Sequence, residues 1–372
     1  MLQFKHIFCY FLFLVVCHHA NSQNTEIMFD LFGGKVWKHK KALLYDTPSL
    51  TSGFQLGIYR ELKAKDYWSN KWNHPKVGIA YSFLSFGDKE VLGFAHSIFP
   101  NAYFTVLNKD KLKLQISAGF GISYLNRTFQ VQQNETNNAI GSHINNISKI
   151  GFSFMVPSNS FSLRAGVDFT HYSNGGTTSP NSGINVVTAN AGMIIPFHKA
   201  NIENEESTEG FDSKKESKHG INFQYHIGIT EDDVLNGPKY LVHASSLAYS
   251  YSFSPAYRLY AGIEHEYNFA KFHFELNAFQ SREEASRRAQ KLIFIVAQEF
   301  QLVNFSLRTQ IGIYTKYPYD DNRNPFYFKL IPQYQIPLNK LPLVDSVTIG
   351  LALKSHYAKA EYLALSFGLN LK

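Results

Sequence analysis

His171, Ser173 and Asn185 are the residues of this chain whose types and spacing could do chemistry. A serine hydroxyl becomes a nucleophile when a base takes its proton, and imidazole is the usual base. A third group must then hold the ring in the tautomer that leaves one nitrogen free. His171 and Ser173 are two residues apart, so on a strand they share a face with Cα atoms about 7 Å apart. Asn185 can accept a hydrogen bond from the ring through its amide oxygen, though it lacks a carboxylate's charge; asparagine fills this place in Cys–His–Asn enzymes. The turn Asn174-Gly175-Gly176 can offer backbone N–H groups to a tetrahedral oxyanion. The set supports nucleophilic cleavage of an ester.

The elements that must position these residues are two alternating runs. Phe161, Leu163, Ala165, Val167 and Phe169 form one face of the first, with Ser162, Arg164, Gly166, Asp168 and Thr170 on the other. Val187, Ala189, Ala191, Met193, Ile195 and Phe197 form the apolar face of the second. Period-two alternation marks strands, and the Asn-, Gly-, Ser- and Pro-rich stretch between them marks a loop. By parity His171, Ser173 and Asn185 continue the apolar faces to the loop end. A histidine, a serine and an asparagine at the end of a greasy face suit chemistry on a lipid. Arg164 and Asp168 fall on the opposite face and are expected to pair with each other there.

The chain has 372 residues. Lys5, the apolar run Ile7 to Val16 and Ala20-Asn21-Ser22 read as a secretory signal over 1–22. Both cysteines, Cys9 and Cys17, lie inside it. The remainder has no thiol, which removes disulfides, thiolate metal sites and cysteine nucleophiles from consideration. The scattered histidines show no metal-ligand spacing, so neither a metal nor another cofactor is expected. No later run is long enough for a transmembrane helix. Yet aromatic residues make up 15% of the chain and charged residues only 17%. An exported, aromatic-rich chain of many alternating segments fits an all-β, antiparallel outer-membrane barrel. The net charge of +7 is compatible with anionic headgroups or with an ordinary surface, and nucleic acid is not an expected partner.

Strands are expected at about 26–36, 52–60, 76–85, 90–98, 111–125, 147–156, 160–171 and 185–197. A charged segment, 198–220, reads as a linker. Alternation resumes at about 221–229, 241–253, 256–266, 291–299, 303–314, 325–335, 345–354 and 361–371, with 268–290 as a surface loop holding a helical turn. This gives about sixteen strands in two halves of about eight, 23–197 and 221–372. Short turns such as 156–159 belong on the periplasmic side and long loops such as 127–146 outside, which puts the 171–185 loop at the outer leaflet. The halves look duplicated: Ile79-Ala-Tyr-Ser-Phe83 matches Leu247-Ala-Tyr-Ser-Tyr251, and His171-Tyr-Ser-Asn174 matches His356-Tyr-Ala-Lys359. Ala358 replaces the serine in the second copy, and His356 has the wrong parity for its strand's outer face. One sixteen-stranded barrel would hold an aqueous lumen, whereas two small barrels would be filled by side chains.

His171-Tyr-Ser-Asn-Gly, followed by Pro180-Asn181 and Gly183-Ile184, resembles the active-site loop of PagL-type lipid A 3-O-deacylases, known more widely as acyloxyacyl hydrolases. Asn138-Ala-Ile-Gly-Ser142 adds to a likeness that spans about 24–197. The resemblance implies an eight-stranded outer-membrane barrel whose Ser-His-Glu triad sits on the lipid-facing wall. It implies metal-free hydrolysis of the 3-hydroxyacyl ester at position 3 of lipid A in the lipopolysaccharide of the outer leaflet. It casts His171 as base and Ser173 as nucleophile, with Asn174, Gly176 and Asn181 shaping the oxyanion site. The family's glutamate falls on Asn185, and the second half lies outside single-barrel members. Alternatives are a catalytically lapsed structural or lipid-binding barrel, and a porin-like channel.

Overall fold

A computed structural model describes residues 25–62, 71–158, 160–196, 218–231, 235, 237–278, 280–315, 325–338, 341–357 and 359–372. The signal segment, both cysteines, Ala358 and nearly all of the charged linker lie outside the described residues.

Eight antiparallel strands follow one another in the first half: β1 (Thr25–Trp37), β2 (Thr51–Glu61), β3 (Lys76–Ser85), β4 (Phe94–Lys109), β5 (Leu112–Leu125), β6 (Ile144–Val156), β7 (Ser162–Ser173) and β8 (Ile184–Pro196). Each pairs with its neighbour in sequence and β8 pairs back onto β1, closing a barrel. The second half repeats this with β9 (His219–Glu231), β10 (Lys239–Ser254), β11 (Tyr257–Asn268), β12 (Gln290–Leu302), β13 (Phe305–Tyr314), β14 (Phe326–Pro337), β15 (Val344–His356) and β16 (Lys359–Leu371). Here β16 pairs back onto β9. The chain therefore forms two closed eight-stranded barrels rather than the single sixteen-stranded one an aqueous lumen would need.

Alternation decides which way each side chain points. On β7, Leu163 and Val167 are exposed while Arg164, Asp168 and Thr170 are buried. The same holds on β5, where Ile116, Ile122 and Tyr124 face out and Gln115, Ser117 and Ser123 face in. An apolar outer wall over a polar filled interior is the pattern of a barrel set in a bilayer, where closure also leaves no unpaired strand edge. Among the described residues, no helix is long and apolar enough to cross a membrane.

The interiors are packed with compensated charge. Arg164 does not pair with Asp168 as expected from their shared face. Four residues along a strand span about 13 Å, and nearer partners come from other strands. Arg164 binds Asp30 of β1 at 3.0 Å and the Tyr103 hydroxyl at 3.0 Å, and Asp168 binds Lys149 of β6 at 3.0 Å. In the second barrel Lys329 meets Glu264 at 2.7 Å and Lys354 meets Glu266 at 2.7 Å, all four side chains fully buried.

Several boundaries differ from expectation, among them the start of β6, expected at 147 and found at Ile144. The strand expected at 90–98 runs 94–109: Phe99 and Tyr103 point inward and interrupt the apolar-out pattern, and a bulge between Thr105 and Leu107 then puts Val106 and Leu107 both outside. The segment expected as a linker to 220 already enters β9 at His219. Residues 268–290 hold two helices, α1 (Phe269–Asn277), capped by Asn268, and α2 (Arg282–Ala289), capped by Ser281. His171 and His356 each sit at the end of the seventh strand of their barrel, and His356 turns inward to bind Glu361 at 2.9 Å. Ile79–Phe83 lies on a third strand and Leu247–Tyr251 on a second.

The connections at the His171 end of the first barrel pack into a cap. Leu43, Tyr45, Phe86, Leu92, Ala139 and Ile140 are buried together. Asn138 ties two loops, accepting from Leu44 N–H at 2.9 Å and donating to Ala42 O at 2.7 Å. Burial pushes the Tyr45 phenol up to about 12, as a dry cap interior requires.

Removing one member of a buried pair leaves an uncompensated charge, at a cost of roughly 3–5 kcal/mol. Arg164→Leu, which strands Asp30, is expected to lower stability by about that amount in a urea titration of the refolded barrel; Leu163→Ala, on the outer wall, should shift the midpoint far less.

Candidate active site

Register places the candidate residues opposite one another. His171 is directly across from Asn185 on β8, and Ser173 is directly across from Asn146 on β6. Trp37 of β1 lies beyond Asn185, so one row crosses four strands: Ser148, His171, Asn185 and Trp37. All stand on the outward face at the loop end, just above the exposed Ile150, Val167 and Val187.

The imidazole is held from one side. His171 Nδ1 lies 2.6 Å from Asn185 Oδ1. An amide oxygen only accepts, so this contact puts the ring proton on Nδ1 and leaves Nε2 as the lone-pair nitrogen. The Ser173 hydroxyl donates to Asn146 Oδ1 at 2.8 Å. Its hydrogen bond is therefore to β6 rather than to the imidazole. Ser173, Asn146 and Asn185 are only 5%, 7% and 8% exposed, so these polar groups are sheltered although they belong to the outer wall.

The expected strand start at 147 leaves Asn146 off the candidate set, whereas β6 begins at Ile144 and brings it onto the wall. The signal was available: Asn146 and Ser148 share the parity of Ile150, Phe152 and Phe154.

The loop 174–183 is a closed hydrogen-bonded ring. Asn174 N–H donates to Asn181 Oδ1 at 3.0 Å, Gly176 N–H donates to Asn174 Oδ1 at 3.0 Å, and Asn174 Nδ2 donates to Thr178 O at 2.7 Å. The amides of Asn174 and Gly176 are thus spent within the loop, and these residues with Asn181 fix its shape. The Asn138–Ser142 segment supports it from behind: Gly183 N–H donates to Ala139 O at 3.0 Å and Ile140 bridges Asn181.

Gly183 makes room for the imidazole. Its φ is +79°, and a Cβ there would lie 2.6 Å from His171 Cε1 and 3.3 Å from Nε2. Positive charge is close by: Lys40, on the loop leaving Trp37, acts electrostatically on the His171 ring. Lys38, Lys40 and Lys41 are exposed.

Residues 49–193 match the lipid A 3-O-deacylase (PagL) family, and residues 219–372 match the C-terminal domain of acyloxyacyl hydrolases. The chain belongs to this family. The second barrel, which lies outside single-barrel members, is thus itself a recognised part of the wider one. No curated protein matched the chain. Among solved structures, the chain is similar to the outer membrane enzyme PagL, at 19% identity over 46% of this chain and 99% of that one, with a TM-score of 0.33. It is also similar to Neisserial surface protein A, at 12% identity over 46% and 97% with a TM-score of 0.31, and to the N-terminal barrel domain of Pseudomonas aeruginosa OprF, at 15% over 46% and 98% with a TM-score of 0.28.

Gly183→Ala is expected to lower stability by about 1–3 kcal/mol through left-handed strain and to push the His171 ring off Asn185. Urea titration reads the first effect. The second appears as a moved His171 imidazole resonance in NMR of the labelled barrel in micelles.

Proposed function

We propose that this protein is an outer-membrane ester hydrolase that removes an ester-linked 3-hydroxyacyl chain from lipid A, with Ser173 as nucleophile, His171 as base and Asn185 as the group that orients the base. The observation that carries the reading is the His171–Asn185 hydrogen bond beside Ser173 on the lipid-facing wall. Family membership supplies the substrate class.

In this reading residues 1–22 are a signal that directs export and the first barrel, 23–197, is the catalytic unit. The Ser173 hydroxyl leaves Asn146 and turns to His171 Nε2. The imidazole takes its proton as Oγ attacks the ester carbonyl carbon. Asn185 Oδ1 keeps the Nδ1 proton in place while the ring is cationic. The tetrahedral intermediate collapses, the carbonyl re-forms, and the imidazolium gives its proton to the departing sugar oxygen. Water, deprotonated by the same nitrogen, then cleaves the acyl-serine and releases a 3-hydroxy fatty acid. The loop shaped by Asn174, Gly176 and Asn181 borders the oxyanion. Lys38, Lys40 and Lys41 suit the anionic phosphates of the substrate, which lie further out than the ester.

Mass spectrometry of lipid A from cells expressing the wild type is expected to show loss of one 3-hydroxyacyl mass, and Ser173→Ala to abolish that loss. Equal processing by both would reject the nucleophile. A positioned general base contributes about 10²–10⁴-fold, so Asn185→Leu, which frees the tautomer, is expected to slow hydrolysis by up to that factor. An amide holds the tautomer without balancing the imidazolium charge, so Asn185→Glu should raise the rate. An inert wild type made active by Asn185→Glu would instead identify a lapsed enzyme.

A further inference from the structure

We propose that the second barrel is the clamp that holds the catalytic loop, with Glu231 as its positioning residue. The loop 174–183 does not project into solvent. It lies against the upper ends of β9, β10, β15 and β16.

Three hydrogen bonds and two close backbone approaches make the junction. The Glu231 carboxylate accepts from Ser179 N–H, and Glu231 N–H donates to Gly176 O at 3.3 Å. Lys239, opposite Glu231 in the β9–β10 register, donates from Nζ to Thr178 Oγ1 at 3.0 Å. A Cβ on Gly175 would come within 2.9 Å of Leu363 Cβ, and one on Gly176 within 2.9 Å of Glu361 O. Both glycines also have positive φ, +70° and +86°. The Gly-Gly pair is thereby accounted for twice, by backbone conformation and by the closeness of the second barrel's wall.

These contacts reach Ser173 through few bonds. Gly176 and Thr178, gripped by Glu231 and Lys239, are the residues that Asn174 ties together with its side chain, and Asn174 follows Ser173 directly. A loop fixed at one end by β7 and at the other by β8 is here fixed at its middle by a second domain. Glu231 is 6% exposed, so its carboxylate is committed to the junction rather than to solvent. Seen this way the second barrel works on the first one's chemistry without contributing a reacting atom.

The rate arm of the test rests on the proposed esterase reading; the exchange arm does not. Hydrogen exchange on the full-length protein in micelles reads the loop directly. Glu231→Ala is expected to speed exchange across 174–183 at least tenfold while the strands of both barrels stay protected. Glu231→Gln, whose amide oxygen still accepts from Ser179 N–H, should keep most of the protection. In lipid A hydrolysis, Glu231→Ala should lower kcat at least tenfold with KM within about threefold, and Glu231→Gln should restore it. Unchanged exchange in Glu231→Ala overturns the clamp. Faster exchange with an unchanged kcat overturns its role in positioning. If the wild type hydrolyses nothing, the esterase reading fails and the exchange result alone decides the clamp.

Discussion

The interiors of these two eight-stranded barrels are filled by their own side chains, which leaves no room there for a lipid. A barrel of this size can be filled by side chains alone, and in both barrels buried Ser, Thr, Asn and Gln residues surround a few compensated charges. A bilayer demands closure, since every backbone N–H and C=O in hydrocarbon needs a partner. With the interior filled as well as closed, chemistry on a lipid is left to the outer wall. His171, Ser173 and Asn185 obey this constraint. They are the polar end of an outward face that is apolar below them.

The same constraint explains how the site is built. On a wall, catalytic side chains cannot converge from opposite sides of a cleft; they can only be neighbours across strands. The register supplies those neighbours, with His171 against Asn185 and Ser173 against Asn146. What a wall lacks is a roof. The loop 174–183 and the segment Asn138–Ser142 supply one, and the second barrel stands against the loop from the far side. A histidine facing lipid thus becomes a group with one nitrogen committed and the other available.

Most of this was legible in the sequence because alternation carries both the fold and the face. Parity alone put Leu163 outside, Arg164 inside and His171 beside Asn185. It failed where alternation stops. Inward-pointing Phe99 and Tyr103, followed by the bulge at Thr105 and Leu107, hid half of β4. Asn146 directly follows a long polar loop, which masks a parity that matches Ile150. The partner of Arg164 was not legible either: Asp30 lies on β1, with β8 between it and β7, and only barrel closure brings the two together. The contacts of Gly175 and Gly176 with the second barrel have no local signature, since Gly-Gly reads as a turn whatever it touches.

Covalent capture tests the central claim most directly. A long-chain fluorophosphonate, presented in mixed micelles, should label the folded protein at Ser173, as located by peptide mass mapping, and His171→Phe should lose the label. An adduct elsewhere, or labelling of Ser173 that persists in His171→Phe, would contradict the account.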